Sequence, residues 1–407
     1  MPNPVNDSFT VSQQTHETLR IIECKTRAER RQFIEFQWEI YKDDPYWVPP
    51  LISEREAFYD RTRNPFFEHS DVALFMAKRH TSGGDKVVGT IAAILNNRHN
   101  EVHLEKTGFF GAFEVINDEA VAKALLDTAR DWVKARGMDS LRGPATLSAN
   151  DEYGLLIDGY DSEPQVMMTH NPPYYKDLLE HYGFKKAMDL YAWWASTQKS
   201  REVIIGGRFE RVAQLAMKRG KFTVRKANLK DFDNEVLRIK KIYNRAWERN
   251  WGFVPMTDHE IDHLGANLKQ IADPDMVFIA EKDGEPIGVS ISLPNVNHPL
   301  RKAYPNPRTP EWWTLLKFLW YRRTMINSLR LIILGVLPEY RKSGVDSVMI
   351  YMTLLVAQEK KLEGGECSWI LETNDDMNRV IQYANPDLYK TYRIYDLPMT
   401  PASTQGA

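Results

Sequence analysis

The apolar positions of this chain fall into a small set of recurring patterns. Leu331 to Val336 is an unbroken, branched apolar run, the pattern of a strand buried on both faces. Pro338 ends it, because proline cannot donate to a sheet ladder. Arg341, Lys342, Ser343 and Gly344 follow. Val345, Val348, Met349, Met352, Leu355 and Val356 then recur at helical spacing. This stretch predicts a strand, a basic glycine turn and a long helix.

Around it the same reading gives an alternation of strands and helices. In the first half, strands are expected at Leu19–Cys24, Asp71–Lys78, Val87–Leu95, Gly108–Val115, Ser140–Leu147 (broken at Gly143-Pro144) and Phe184–Trp194. Helices are expected from Thr26 to about Tyr41, from Asp118 to Arg136 with Gly137 closing it, and from Pro172 to Tyr182. The second half repeats the theme. Its strands are Phe222–Arg225, Met276–Lys282, Pro286–Leu293, the central run, Glu366–Glu372 and Tyr389–Leu397. Its helices are Asp231–Trp247, Thr257–Ile271, the one after Gly344, and a short one from Asp375 to Tyr383 with Asn374 at its N-cap. Gly89 stands ten residues before His99 and Gly288 ten before His298, each opening a strand. Both halves end in an aromatic strand. The reading is a diverged tandem repeat: a tail over 1–18, a first domain over 19–195, a linker over 196–220, a second domain over 221–397 with an insertion at 295–330, and a tail over 398–407.

Composition narrows the class. At 407 residues the chain suits two domains, and its net charge of -2 offers no general attraction to nucleic acid. Two cysteines, Cys24 and Cys367, cannot build a disulfide framework. The polar start lacks a signal-peptide core, and no uncharged run reaches membrane-spanning length. These features suit the cytoplasm.

The turn after the central strand carries chemistry. A helix N-terminus offers free amides and a positive dipole end, and a glycine lets a diphosphate approach the main chain. Pro338 to Val345 resembles the coenzyme A motif of GCN5-related N-acetyltransferases, Arg/Gln-x-x-Gly-x-Gly/Ala. Arg341 and Gly344 match it; Asp346 stands where the second small residue belongs. The resemblance implies an α/β fold of two tandem acyl-CoA N-acyltransferase-like domains, each a mixed, mostly antiparallel sheet flanked by helices. It implies an acyl-CoA, acetyl or longer, as co-substrate, bound by Leu334, Val336, Leu337, Arg341, Lys342, Ser343, Gly344, Val345 and Asp346. No metal is expected. The chain is also similar to bacterial tandem members of this superfamily, including the type that acylates sphingoid bases to ceramides. In the first half the corresponding link, Val115 to Glu119, is acidic and lacks a basic glycine turn. That half is expected to keep the fold without the coenzyme site.

N-acyl transfer needs a base for the amine and an acid for the leaving thiolate. Glu372, at a strand end, is the candidate base; Tyr383 is the candidate acid, and Asn374 joins them as a catalytic candidate. A second polar cluster, His99, Asn100, Glu114, Asn150–Glu152, Asn171 and Tyr175, falls at strand ends and loops and is expected to line an acceptor cleft. His99 and His103 are read on an extended segment. The insertion Glu311–Arg330 is a helix with Thr314, Lys317, Thr324 and Ser328 on one side and aromatic and aliphatic residues elsewhere. It suits a membrane–water boundary, an acyl-pocket mouth, or burial against the first half. The function expected is acyl transfer from CoA to an amine, one option being a lipid-like amine such as a sphingoid base, in the cytoplasm or peripheral to the inner membrane. The alternatives are acetylation of a small polar amine or protein N-terminus, and a non-catalytic acyl-CoA sensor. Oligomeric state is left open.

Overall fold

The computed structural model describes residues 18–204, 207–248 and 250–399. Nearly all of the two expected tails, and Gly206 of the linker, lie outside the described residues. The first half contributes strands β1 (Leu19–Glu23), β2 (Ser70–Thr81), β3 (Gly84–Asn96), β4 (Thr107–Val115), β5 (Ser140–Gly143), β6 (Ala145–Thr146), β7 (Glu152–Tyr153), β8 (Leu155–Asp158) and β9 (Lys185–Ser196). The second contributes β10 (Thr223–Lys226), β11 (Val277–Lys282), β12 (Glu285–Pro294), β13 (Ser328–Val336), β14 (Gly364–Leu371) and β15 (Asp387–Pro398).

The two halves share one plan. β1 to β4 pair antiparallel in chain order, as do β10 to β13. In each half the next pair, β4–β5 and β13–β14, is parallel and needs a helical crossover. The helices Glu119–Lys134 and Val345–Glu359 supply it. Each buries an apolar stripe on its sheet: Val121, Leu125, Leu126 and Val133 in one, Val345, Val348, Met349 and Val356 in the other. Burial of each such side chain contributes roughly 1.5–3 kcal/mol.

The closing strands are exchanged. The sheet runs β1-β2-β3-β4-β5-β15-β9-β14-β13-β12-β11-β10, with β8 added on β15. Thus β15, from the end of the second half, pairs with β5 of the first. β9, from the end of the first half, pairs with β14 of the second. The aromatic strands expected at 184–194 and 389–397 form, but each completes the other half's sheet, and they pair with one another.

Two local expectations, on Asn97–His103 and on the end of the insertion helix, are corrected, and the linker is helical where a helix is expected, around Phe209–Lys218. Asn97–His103 is a helix, not an extended segment: the Asn96 side chain accepts the His99 amide as an N-cap, and Leu104 ends the turn with a left-handed backbone. The insertion helix stops at Met325, because Ser328 onward joins the ladder with β12. Of the side named by Thr314, Lys317 and Thr324, Thr314 is buried, Lys317 half-buried and Thr324 exposed. The linker is largely helical, and Arg208–Gly220 packs on the Val345–Glu359 helix through buried Phe209 and Ala213.

Candidate active site

β13 and β14 are paired only from Ser328 opposite Gly364 to Leu331 opposite Cys367. Beyond that point they part. A register shift in the β12–β13 ladder, opposite Ile291 and Ser292, leaves Ile332 without a partner and re-aims the strand. The gap holds a cavity of ≈ 210 Å³. Arg330–Leu334 and Cys367–Leu371 form its strand walls, with Asn374 and Met377 at the start of the next helix. The first half adds Ala149, Asn150, Asp151, Tyr153 and Met167, and the segment from Tyr243 to Phe253 contributes aromatic rings.

The basic turn lies at the other end of β13. Pro338–Tyr340 makes one 3-10 turn, and Gly344 caps the long helix with φ +84°. Glycine is needed there twice over: the backbone is left-handed, and a Cβ would meet that of Ala216 at 2.7 Å. Arg341 and Lys342 are exposed, with one Arg341 nitrogen donating to the Ala246 carbonyl at 2.7 Å. The Asp346 carboxylate folds back on its own helix and accepts the Ser347 amide at 2.7 Å. The Ser343 hydroxyl likewise closes the turn, donating to the Tyr340 carbonyl at 2.6 Å. First-turn amides have no intrahelical acceptor, so the turn fits an anion of diphosphate type.

The corresponding place in the first half is filled. Asp118 accepts the amides of Ala120 and Val121 at 2.9 and 3.2 Å and pairs with Arg79 at 2.6 Å. A carboxylate thus occupies the dipole end. The gap between β4 and β5 is closed as well, because a Cβ on Gly111 would overlap the Ala145 carbonyl and one on Gly143 would overlap Phe110.

Among the described residues, the cavity brings together Leu334, Asn374, Asn150 and Asp151 of those singled out from the sequence. Asn374 accepts the Met377 amide at 3.1 Å as an N-cap. Asn150 accepts the Tyr243 hydroxyl at 3.1 Å. Val336 pairs with Gly288, and the Leu337 amide donates to the Ile287 carbonyl, so both continue the strand toward the turn. Val345 is buried in the core.

The remaining candidates lie apart. Glu372 is tied to Lys186 at 2.7 Å and to the Asp189 amide at 3.0 Å. Tyr383 packs on Phe209, ring centroids 5.8 Å apart. His99 faces Glu105 at 3.2 Å, and its burial lowers its pKa to about 4. Asn100 braces Thr107 through its amide and carbonyl. Asn171 does the same for Leu156. Glu152 is engaged by Arg55. Glu114 is buried beneath the hydroxyls of Tyr41 and Tyr175, each 2.9 Å away, and burial pushes it up to about 7.

Sequence reasoning grouped Asp151 with its polar neighbours without assigning it a role, and it missed a second feature. Asp151 lines the cavity, and burial raises its carboxyl to about 7 against the Ser148 hydroxyl, which donates at 2.8 Å. Arg330 and Glu366 are buried at paired positions on β13 and β14. Arg330 donates to Ser368 at 2.8 Å and to the Val166 carbonyl at 2.7 Å, while Glu366 accepts from Ser368 and Tyr389. The available signal was one charge of each sign inside two otherwise uncharged strands.

A continuous sheet of two like halves, parted at one parallel pair beside a glycine turn, defines the tandem GCN5-related N-acyltransferase. No family model matches the chain. Over 375 residues it is 33% identical to protein YghO of Escherichia coli (strain K12), covering 91% of this chain and 93% of that one. Over 393 residues it is 34% identical to a bacterial ceramide synthase of Caulobacter vibrioides (strain NA1000 / CB15N), covering 94% and 98%. In fold it is similar to a tandem GNAT protein from the clavulanic acid biosynthesis pathway, with a TM-score of 0.55 and 12% identity over 95% of this chain and 100% of that one. A GCN5-related N-acetyltransferase from Sphaerobacter thermophilus gives 0.50 and 10% over 95% and 98%. The chain belongs to the bacterial family that includes these two sequence relatives, and its fold is that of the tandem GCN5-related N-acetyltransferases. It is an acyltransferase of that type.

Proposed function

We propose that this enzyme transfers an acyl group from a CoA thioester to a hydrophobic, lipid-like primary amine of the sphingoid-base class, working in the cytoplasm at the inner membrane. The observation that carries this reading is the cavity joining the parted strands of the second half to Asp151 of the first, with walls that include Trp247, Trp251, Phe253 and Leu264. The Caulobacter relative supports the amine class.

The residues divide the work along β13. First-turn amides from Gly344 to Asp346, with Arg341 and Lys342, would hold the diphosphate. The edge of β13 toward Leu337 would take the pantetheine arm by main-chain hydrogen bonds. Asp151, rather than Glu372, would take the proton of the incoming amine. The amine nitrogen bonds to the thioester carbonyl, the C–S bond breaks, and the thiolate leaves. Tyr153 and Tyr243 are the cavity phenols, either of which would protonate it. Asn374 would hold the loop between β14 and its helix.

A second reading has one observation behind it. At ≈ 210 Å³ the cavity is smaller than the ~300–1,000 Å³ of ordinary ligand pockets. That favours acetylation of a small polar amine, whereas a lipid amine must leave its tail outside. Thiol release from acetyl-CoA and palmitoyl-CoA, with sphinganine, spermidine and a peptide N-terminus as acceptors, separates the two. Turnover should be highest with palmitoyl-CoA and sphinganine. Turnover confined to polar amines would refute the lipid reading, and none with any acceptor would refute transfer to these classes.

A further inference from the structure

The helix Glu311–Met325 carries large apolar side chains on every side among its few charges, yet only one side of it is covered. Thr314 is its most buried residue, and Phe318 one turn on packs beside Ile332 and Leu268. The opposite side carries Trp312, Leu316, Leu319 and Trp320, which are 61%, 53%, 54% and 72% exposed. A helix that is hydrophobic on every side is ordinarily buried in protein or lipid, and apolar patches of this kind mark interaction sites. Both ends are fastened: the Ser53 amide donates to Glu311 at 3.0 Å, and Arg322 to the Gln270 carbonyl at 3.2 Å.

Charge identifies the occupant. Residues 297–327 contain Arg301, Lys302, Arg308, Lys317, Arg322 and Arg323 against Glu311 alone, a net of +5 (six minus one) in a chain of net -2. A second copy meeting this face across a twofold axis would set that charge against itself. Tryptophans among lysine and arginine are instead the composition of a helix lying in a bilayer interface. No helix among the described residues is long and apolar enough to cross a membrane. The covered side of the same helix borders the site, since Phe318 shares a packed cluster with Ile332, Ile333, Met167 and Trp247, all of which wall the cavity.

We infer that this helix docks the enzyme on an anionic bilayer surface, Trp312 and Trp320 inserted among the headgroups and the exposed Lys302, Arg308 and Arg323 set against lipid phosphates, while Arg301 stays paired with Glu163 and Arg322 with Gln270. This builds on the lipid-amine reading by giving the acceptor a surface from which to enter. Flotation of the full-length protein with phosphatidylcholine vesicles, with and without phosphatidylglycerol, tests it. The protein should float with the anionic vesicles about tenfold more than with neutral ones, less so as salt rises. Trp320→Glu and Arg323→Glu should each weaken this several-fold while leaving the melting temperature unchanged, since both side chains are exposed. Equal flotation of wild type and Trp320→Glu would overturn the proposal, as would no flotation. So would light scattering that shows a dimer broken by Trp320→Glu. Flotation is read without turnover: a protein that floats but acylates no lipid amine keeps its dock and loses its acceptor, and one that acylates sphinganine while staying in the aqueous fraction does the reverse.

Discussion

Asp151 and its two neighbours show how a single turn assigns three polar side chains. Asn150 is held by Tyr243, Glu152 is taken by Arg55, and Asp151 between them lines the cavity. Burial holds the Asp151 carboxyl near 7, where a general base is most useful. Activity should therefore rise as pH climbs through about 7 and the carboxylate forms. Asp151→Asn should lower kcat by roughly 10²–10⁴ and remove that acid limb, read from pH profiles of thiol release. Glu114 makes a separate prediction about stability. Its pKa is raised by burial from 4.5 to about 7, so the folded state holds a proton that the unfolded state has lost. Stability should fall as pH rises from about 4.5 to 7, by about 1.4 kcal/mol per pH unit from this group. Glu114→Gln should flatten that slope in urea melts taken across the window. The sequence showed the polar cluster but not its orientation, because which of three consecutive side chains faces a cavity is set by what packs against the turn.

At the scale of elements, the two crossover helices begin in opposite ways. Asp118 accepts two amides of its own helix end, whereas Gly344 has no side chain to cap its helix, and Asp346 accepts the Ser347 amide alone. Gly344→Glu should abolish CoA binding in calorimetry, since the new side chain meets both the φ of +84° and Ala216. Asp118→Ala should leave CoA affinity unchanged and cost about 1 kcal/mol of stability from the lost cap. Much of this level was legible. The glycine turn, the acidic link in the first half and the caps at Thr26 and Asn374 are neighbour effects and form where expected. The Asn97–His103 helix was missed because seven residues carry too little periodicity to outweigh their polar content.

For the whole molecule, strand exchange couples the halves. β15 lies between β5 and β9, and β9 lies between β15 and β14. Each half expressed alone would expose an unpaired edge and lose the strand that covers it. Fragments 1–220 and 221–407 should be insoluble or unfolded separately and recover circular dichroism and CoA binding when co-expressed. Intact protein should melt in one calorimetric transition, and two separated transitions would contradict the coupling.

The sequence by itself determined the order of strands within each half, the basic glycine turn and the likeness to N-acyltransferases, because periodicity, caps and turns act over a few residues. Only the tertiary structure decided that the closing strands cross over, that Arg330 and Glu366 share a buried pair, and that Asp151 rather than Glu372 reaches the parted strands. It also turned Thr314 inward and Trp320 outward. Each of these depends on residues far apart in the chain meeting at one place, and burial there is a property of the packing, which no local pattern encodes.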